Sequence, residues 1–76
     1  MKDLLTKIVQ AVVDNPEQVS VSEIVSTQTT VLELRVAKED MGRVIGKQGR
    51  MANAIRHLLY AASGKAQRRY VLEIVD

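Results

Sequence analysis

The sequence predicts an α+β fold in which a three-stranded mixed sheet is covered on one face by three helices. Apolar residues recur at helical spacing in some segments and alternate with polar residues in others, giving the order helix, strand, strand, helix, helix, strand. Two helices between the second and third strands form a crossover, which we expect to be right-handed. A chain of 76 residues supplies one small core, so we expect a single domain over residues 1–76.

The first half of the chain predicts one helix and a hairpin. An amphipathic helix covers about residues 2–13 and ends at an Asp-Asn-Pro turn. Residues 19–25 alternate as a half-exposed strand does, residues 26–29 form a polar connection, and a second strand follows. The apolar stripe of the helix is Leu4, Leu5, Ile8, Val9 and Val12. The two faces of the second strand carry Leu32, Leu34 and Val36, and Val31, Glu33 and Arg35.

The second half predicts two helices and a last strand. A short helix over residues 41–45 follows Glu39 and Asp40, whose carboxylates suit the positive end of a helix dipole and are expected to cap it. A longer helix covers about residues 50–63, a glycine ends it, and residues 69–75 form a strand. The predicted buried stripe of the longer helix is Met51, Ala54, Ile55, Leu58 and Ala62.

The formal net charge of +2 conceals an uneven distribution. Residues 1–40 carry four cations and seven acids, whereas residues 41–76 carry seven cations and two acids. Between Met41 and Leu72 there is no acid at all. The cations of this stretch are Arg43, Lys47, Arg50, Arg56, Lys65, Arg68 and Arg69. A solvated basic face is the common explanation of such a run, but a glycine-rich loop lies within it, and the two together favour a polyanionic partner.

Composition argues against several classes of protein. The chain has no cysteine, which excludes a disulfide framework and a thiolate metal site. No secretory signal is recognisable and no run approaches the ~18 apolar residues of a membrane helix, so we expect a cytoplasmic protein without membrane contact. His57 is the only histidine, and no nucleophile or second ligand accompanies it. We therefore expect no enzyme, and no metal, cofactor or small-molecule substrate.

The most informative motif is Gly46-Lys47-Gln48-Gly49, which lies between two predicted helices. Two glycines three positions apart allow a sharp bend and the close approach of a large ligand. The helix that follows opens without Ser, Thr, Asp or Asn, so its first N–H groups suit an anion such as phosphate. The spacing fits neither a Walker A loop nor a Rossmann fingerprint. For the four residues alone, a plain helix-helix turn remains the simplest alternative.

With its neighbours the motif is Val44-Ile45-Gly46-Lys47-Gln48-Gly49-Arg50, which resembles the G-x-x-G signature of KH domains, binders of single-stranded nucleic acid. The order of elements is similar to that of type II KH domains. The whole chain, with its Asp14-Asn15-Pro16 turn, resembles the small bacterial RNA-binding proteins of the KhpA (YlqC) family. This implies RNA chaperoning or post-transcriptional regulation, linked in some bacteria to cell shape and cell wall biogenesis. The residues implied in RNA binding are Arg43, Val44, Ile45, Gly46, Lys47, Gln48, Gly49 and Arg50.

The longer helix also carries a candidate dimer interface. Tyr60 and Ala61 lie off its predicted core stripe, and exposed apolar residues either mark an interface or have no role. The family resemblance favours an interface, because these proteins are thought to form homodimers or to pair with a larger KH-containing protein of the KhpB (Jag/EloR) type. The candidate residues are Asn53, His57, Tyr60 and Ala61. The alternative function is therefore a protein-interaction module in which RNA binding is secondary.

Aromatic residues are scarce: the chain has no Phe or Trp, and its tyrosines are Tyr60 and Tyr70. Other RNA-binding modules stack bases on exposed aromatic side chains. A KH groove can instead use aliphatic contacts and backbone clamping, so the composition predicts weak binding with little sequence preference. Tyr70, at the start of the last strand, is expected to pack against the core.

Overall fold

A computed structural model of the chain describes residues 1–64 and 68–75. Its helices and strands are α1 (Lys2–Gln10), β1 (Ser20–Val25), β2 (Thr29–Arg35), α2 (Met41–Ile45), α3 (Arg50–Ser63) and β3 (Arg69–Val75). Short 3-10 turns at Pro16–Gln18, Lys38–Asp40 and Lys47–Gly49 precede β1, α2 and α3. The predicted order of elements and the α+β class are confirmed.

The sheet has the strand order β1-β2-β3, so β2 is central and the other two are edge strands. β1 and β2 are antiparallel, whereas β2 and β3 are parallel with Leu32 opposite Leu72. Along β2, the buried residues Thr30, Leu32 and Leu34 alternate with more exposed ones. Because neighbouring strand residues point to opposite faces, this alternation shows that the helices cover one face of the sheet.

The core lies between this face and the helices. Leu5 and Val9, one turn apart on α1, are fully buried, whereas Leu4 is exposed although it belongs to the predicted stripe. α1 also ends earlier than predicted: the N–H of Val12 donates to the carbonyl of Val9, three residues back, which departs from the four-residue spacing of an α-helix. The buried cluster consists of Leu5, Val9, Val21, Leu32, Leu34, Val44, Ile55, Leu59 and Leu72.

The predicted buried stripe of α3 is partly wrong. Ile55 is buried and Met51 packs partly against the core, but Ala54, Leu58 and Ala62 are exposed. Beside Ile55, the structure buries Ala52 and Leu59, which the prediction did not include. Alanine and leucine occur on two overlapping sides of this helix, so periodicity alone does not show which side is buried. Packing against the sheet selects one of the two sides.

Asp40 links the turn after α1 to the start of α2. It is the N-cap residue of α2 but makes no side-chain capping hydrogen bond, contrary to the expectation for Glu39 and Asp40. Its carboxylate is 1% exposed and accepts hydrogen bonds from the N–H of Asp14 at 3.2 Å and from the N–H and side-chain amide of Asn15, both at 3.0 Å. These bonds satisfy two backbone donors and compensate for burial of the carboxylate.

The surroundings of Asp40 affect its pKa in opposite directions. Burial raises the pKa of the Asp40 carboxyl, but hydrogen bonds from Asn15 and Asp14 and the positive charge of Arg43 outweigh burial. The net result is a pKa below the usual value for aspartic acid. The ionised carboxylate therefore favours the folded state.

Arg68 links the hairpin to β3. Its guanidinium donates to the carbonyl oxygens of Ser26 at 2.9 Å and Thr27 at 3.2 Å, and to the hydroxyl of the buried Thr30 at 3.1 Å. The N–H of Arg69 also donates to the carbonyl of Gln28 at 2.8 Å. The turn between β1 and β2 is thus held against the start of β3.

We expect Asp40→Asn to destabilise the fold at neutral pH, because an amide offers one acceptor oxygen where three donors converge. The lowered folded-state pKa means that the contribution of the charge is fully present above the unfolded pKa of about 3.9 and is lost as pH falls through the folded value. Urea unfolding at decreasing pH should therefore show the free-energy difference between wild type and Asp40→Asn becoming smaller.

The control is Glu39→Gln, which removes one negative charge from an exposed neighbouring residue. Its free energy of unfolding should stay close to that of wild type over the same pH series. Equal effects of the two variants, or a difference for Asp40→Asn that does not change with pH, would contradict the role given to the Asp40 charge.

Candidate nucleic-acid interface

The glycine loop joins α2 to α3 through backbone angles that few residues adopt. Gly46 has φ 76° and ψ 172°, a region almost exclusive to glycine, and Gly49 has φ 74° and ψ 11°. Gln48 between them has φ 58°. A Cβ on Gly46 would lie 2.6 Å from the Cβ and 2.7 Å from the backbone nitrogen of Met51. The close approach that Gly46 permits is therefore to the chain's own α3, whereas the space around Gly49 is open.

Several backbone donors of the loop are already used within it. The N–H of Gly46 donates to the carbonyl of Gly42 at 2.8 Å, and the N–H of Gly49 donates to the carbonyl of Gly46 at 3.1 Å. The N–H of Arg50 donates to the carbonyl of Lys47. Within residues 1–64 and 68–75, no hydrogen bond is found for the N–H of Lys47 or Gln48. The donors left for a ligand are thus at the tip of the loop.

The side chains at the tip are accessible. Lys47, Gln48 and Arg50 are exposed, and the guanidinium of Arg50 lies 3.5 Å from the amide oxygen of Gln48. α3 begins after Gly49 without a side-chain cap, as predicted. Just before the loop, Val44 is fully buried in the core, whereas Ile45 is exposed. Of the two apolar residues, only Ile45 is therefore accessible to a ligand.

Not every cation of the acid-free stretch is available for a ligand. Arg43 forms an ion pair with Asp14, with 3.1 Å between Nε and Oδ2. The acid-free segment therefore has an acidic side chain next to it in the folded structure, although none occurs within its sequence. The pair is exposed and contributes about 0–1 kcal/mol. Arg68 is engaged with the hairpin turn, and Lys65 lies outside the described residues. The exposed cations that remain include Lys47, Arg50, Arg56 and Arg69.

A groove runs between α3 and the edge strand β3 and consists of two adjoining hollows. One, of about 440 Å³, lies between Asn53, Arg56, His57 and Tyr60 of α3 and residues 69–72 of β3. The other, of about 790 Å³, lies between the end of α3 and residues 68–70. Of the candidate interface residues, Asn53, His57 and Tyr60 line the first hollow, whereas Ala61 borders the second.

Arg56 and Arg69 line this groove, and the sequence-based site did not include them. The sequence feature that could have pointed to these two arginines is their position in the acid-free stretch. Sequence alone did not show that residues thirteen positions apart would face each other, because that depends on how α3 packs beside β3.

A second exposed side of α3 is apolar. Ala54, Leu58, Ala61 and Ala62 recur at helical spacing and are all exposed, and Leu58 is 51% exposed. The four candidate interface residues are therefore divided. Asn53, His57 and Tyr60 lie on the groove side, while Ala61 lies on the apolar side at its border with the second hollow.

Two structural features are absent from residues 1–64 and 68–75. No group of three or more His, Cys, Asp or Glu side chains there is arranged to hold a metal ion. No helix in the same part of the chain has the length and apolar character needed to cross a membrane.

The architecture and the loop together define a class of protein. Helix, hairpin, two helices joined by a G-x-x-G loop, and a parallel edge strand are the features of a type II KH domain.

Comparison with known proteins identifies the family. The family model described as KhpA/KhpB, KH domain matches residues 2–74. The RNA-binding protein KhpA of Clostridium acetobutylicum is 53% identical over 99% of this chain and 100% of its own. Its namesake in Treponema pallidum is 47% identical over 99% of this chain and 94% of its own. No solved structure matches. The chain belongs to the KhpA/KhpB family of KH-domain proteins.

We expect Gly46→Ala to lower the free energy of unfolding by about 2 kcal/mol or more, because it adds backbone strain to a collision with Met51. Gly49→Ala should cost about 1–2 kcal/mol, since only its left-handed φ is unfavourable. The matched control is Gly42→Ala within α2, where a Cβ meets nothing within 4 Å and should stabilise by about 0.5–1 kcal/mol. Urea unfolding measures all three, and a Gly46→Ala variant as stable as Gly42→Ala would contradict the close approach to Met51.

Proposed function

We propose that this chain is a non-catalytic RNA-binding protein whose glycine loop clamps the backbone of single-stranded RNA. Relatives that are 46% to 53% identical carry the name RNA-binding protein KhpA, which supports the substrate class. The proposed clamp is inferred from the conformation of residues 46–49. Among the described residues it leaves the N–H groups of Lys47 and Gln48 without a partner, at an exposed and positively charged tip.

The clamp would work through the backbone of both molecules. A phosphate at the tip accepts hydrogen bonds from the N–H groups of Lys47 and Gln48, and the side chains of Lys47 and Arg50 supply positive charge. The uncapped start of α3 adds the positive end of its helix dipole. The open space around Gly49 admits the ribose-phosphate chain without a steric clash.

A clamp of this kind recognises what all RNA molecules share. Phosphate contacts position a strand but carry no sequence information. This fits the role that the family resemblance implies, an RNA chaperone or post-transcriptional regulator in the cytoplasm that contacts many transcripts and thereby affects cell shape and cell wall biogenesis. One domain over residues 1–76 is sufficient for it.

We expect the double variant Lys47→Asp, Gln48→Asp to weaken RNA binding by about tenfold or more, because two carboxylates at the tip repel phosphate. Its fold should be unchanged, since both side chains are exposed. Fluorescence anisotropy with a labelled single-stranded RNA, repeated at several salt concentrations, should also show a shallower salt dependence, by about 0.7 in log-log slope for each lost phosphate contact.

The matched control is Lys7→Asp, Gln18→Asp, which changes two exposed residues and alters the net charge by the same amount. It should lower affinity less than the loop variant does. If the two variants bind RNA equally well, the loop is not the clamp and only the overall charge matters.

A second candidate function is self-association, or association with a larger KH-containing protein of the KhpB type. The observation that favours it is the apolar side of α3, with Leu58 51% exposed among three alanines. Small residues allow two helices to approach closely, and burial of the exposed half of Leu58 would contribute about 1 kcal/mol per copy. Ala61 is the member of the sequence-predicted interface that lies on this side. Two copies would also double the RNA contacts.

We expect Leu58→Asp to convert a dimer into monomers, because it places a charge in the apolar contact. Ile24→Asp is the matched control, since Ile24 lies on β1 and is 52% exposed. Light scattering should give a dimeric mass for wild type and for Ile24→Asp, and a monomeric mass for Leu58→Asp. A monomeric wild type would remove self-association from the proposal.

A further inference from the structure

Tyr60 is unusually exposed for a large apolar side chain. It is 82% exposed, more than any other large hydrophobic residue among those described. Single exposed apolar residues are common and by themselves carry no meaning. What distinguishes Tyr60 is its location, because both hollows of the α3–β3 groove border it. Tyr60 is therefore an exposed aromatic residue shared by the two hollows, together with Arg69 and Tyr70.

The neighbours of Tyr60 in the groove are cationic. Arg56, one turn before it on α3, and Arg69 on β3 both line the first hollow, and Arg69 also lines the second. Both arginines are exposed, and Arg56 donates to the side-chain oxygen of Asn53 at 3.3 Å. None of the described residues that line either hollow is acidic. The groove around the ring thus attracts anions.

An exposed ring between cations matches the chemistry of a nucleotide. The flat face of a base stacks on an aromatic ring, and the phosphates on either side of that base interact with arginine. An apolar protein segment would use the ring but would gain nothing from the two arginines. The surroundings of Tyr60 therefore favour a nucleotide over an apolar peptide.

We propose that Tyr60 is a base-stacking residue and that the groove beside it binds one nucleotide of an RNA strand held at the glycine loop. This rests on the proposed RNA-binding function. The loop and Tyr60 lie at opposite ends of α3, and ten residues of helix separate Arg50 from Tyr60 by about 15 Å. An RNA strand that passes along α3 reaches both, so the loop holds phosphates and Tyr60 adds a contact to a base.

Stacking on Tyr60 would make the RNA affinity of the chain depend on bases as well as on phosphates. Clamping alone predicts affinity that depends on phosphates and not on bases. Stacking on one ring typically contributes a factor of about 5 to 150 in affinity. It also adds a preference for purines, because their larger faces overlap more of the ring.

The test compares Tyr60→Leu, which keeps apolar bulk but removes the aromatic face, with Tyr60→Phe, which keeps that face. The probes are an unstructured single-stranded RNA of about ten nucleotides and an abasic strand of the same length. Tyr60→Leu should lose about 5- to 150-fold in affinity for the first probe and nothing for the second, and Tyr60→Phe should bind both as wild type does. Unchanged binding of the RNA by Tyr60→Leu would overturn the inference.

A second measurement uses Tyr70→Phe, which leaves Tyr60 as the only tyrosine in a chain without tryptophan. Stacking of a base should quench the Tyr60 emission when the RNA is added, and the abasic strand should leave it unchanged. Absence of quenching at saturation would overturn the stacking role. So would a Tyr60→Leu variant that binds RNA normally but loses self-association, since that result would assign the ring to a protein contact.

The two proposals fail in different ways. If wild type binds neither probe, the RNA-binding function itself is wrong and the Tyr60 inference falls with it. If wild type binds both probes equally and the loop variant binds neither, the clamp stands and the stacking role is excluded.

Discussion

The contact between Gly46 and Met51 is the constraint on which the rest of the interface depends. There is no room for a Cβ between these residues, and the backbone angles of Gly46 are nearly exclusive to glycine. Together they fix how α2 turns into α3. As a result Lys47 and Gln48 form an exposed tip whose N–H groups have no partner in the part of the chain that the structure describes, and α3 begins without a side-chain cap. The same glycine thus serves packing and the candidate site.

Two polar side chains hold the rest of the fold around this loop. Asp40 ties the turn after α1 to the start of α2, and Arg68 ties the hairpin turn to β3. Asp40 accepts hydrogen bonds from part-buried backbone N–H groups, and Arg68 donates to exposed carbonyl oxygens of the hairpin turn. Because the guanidinium of Arg68 is engaged in this way and Arg43 pairs with Asp14, fewer cationic side chains are free to contact a polyanion than the composition suggests.

α3 has three sides, one of which packs in the core while the other two carry the proposed interfaces. Ala52, Ile55 and Leu59 form the buried side, Leu58 lies on the exposed apolar side, and Tyr60 lies on the side that faces the groove. The proposed self-association rests on Leu58 and the proposed base stacking on Tyr60, and Ala61 is the residue that borders both surfaces. A dimer that buries Leu58 would leave the groove of each copy accessible, which is the arrangement that avidity requires.

The sequence by itself determined the order of elements, the α+β class, the family and the glycine loop, because periodicity and glycine spacing are properties of neighbouring residues. Only the tertiary structure decided which side of α3 is buried, and it placed Leu58 on the surface where periodicity had placed it in the core. It also decided which charges are free, since Asp40 and Arg68 bond residues about 25 and 40 positions away. Such partners meet only when the elements pack, so no local pattern records them.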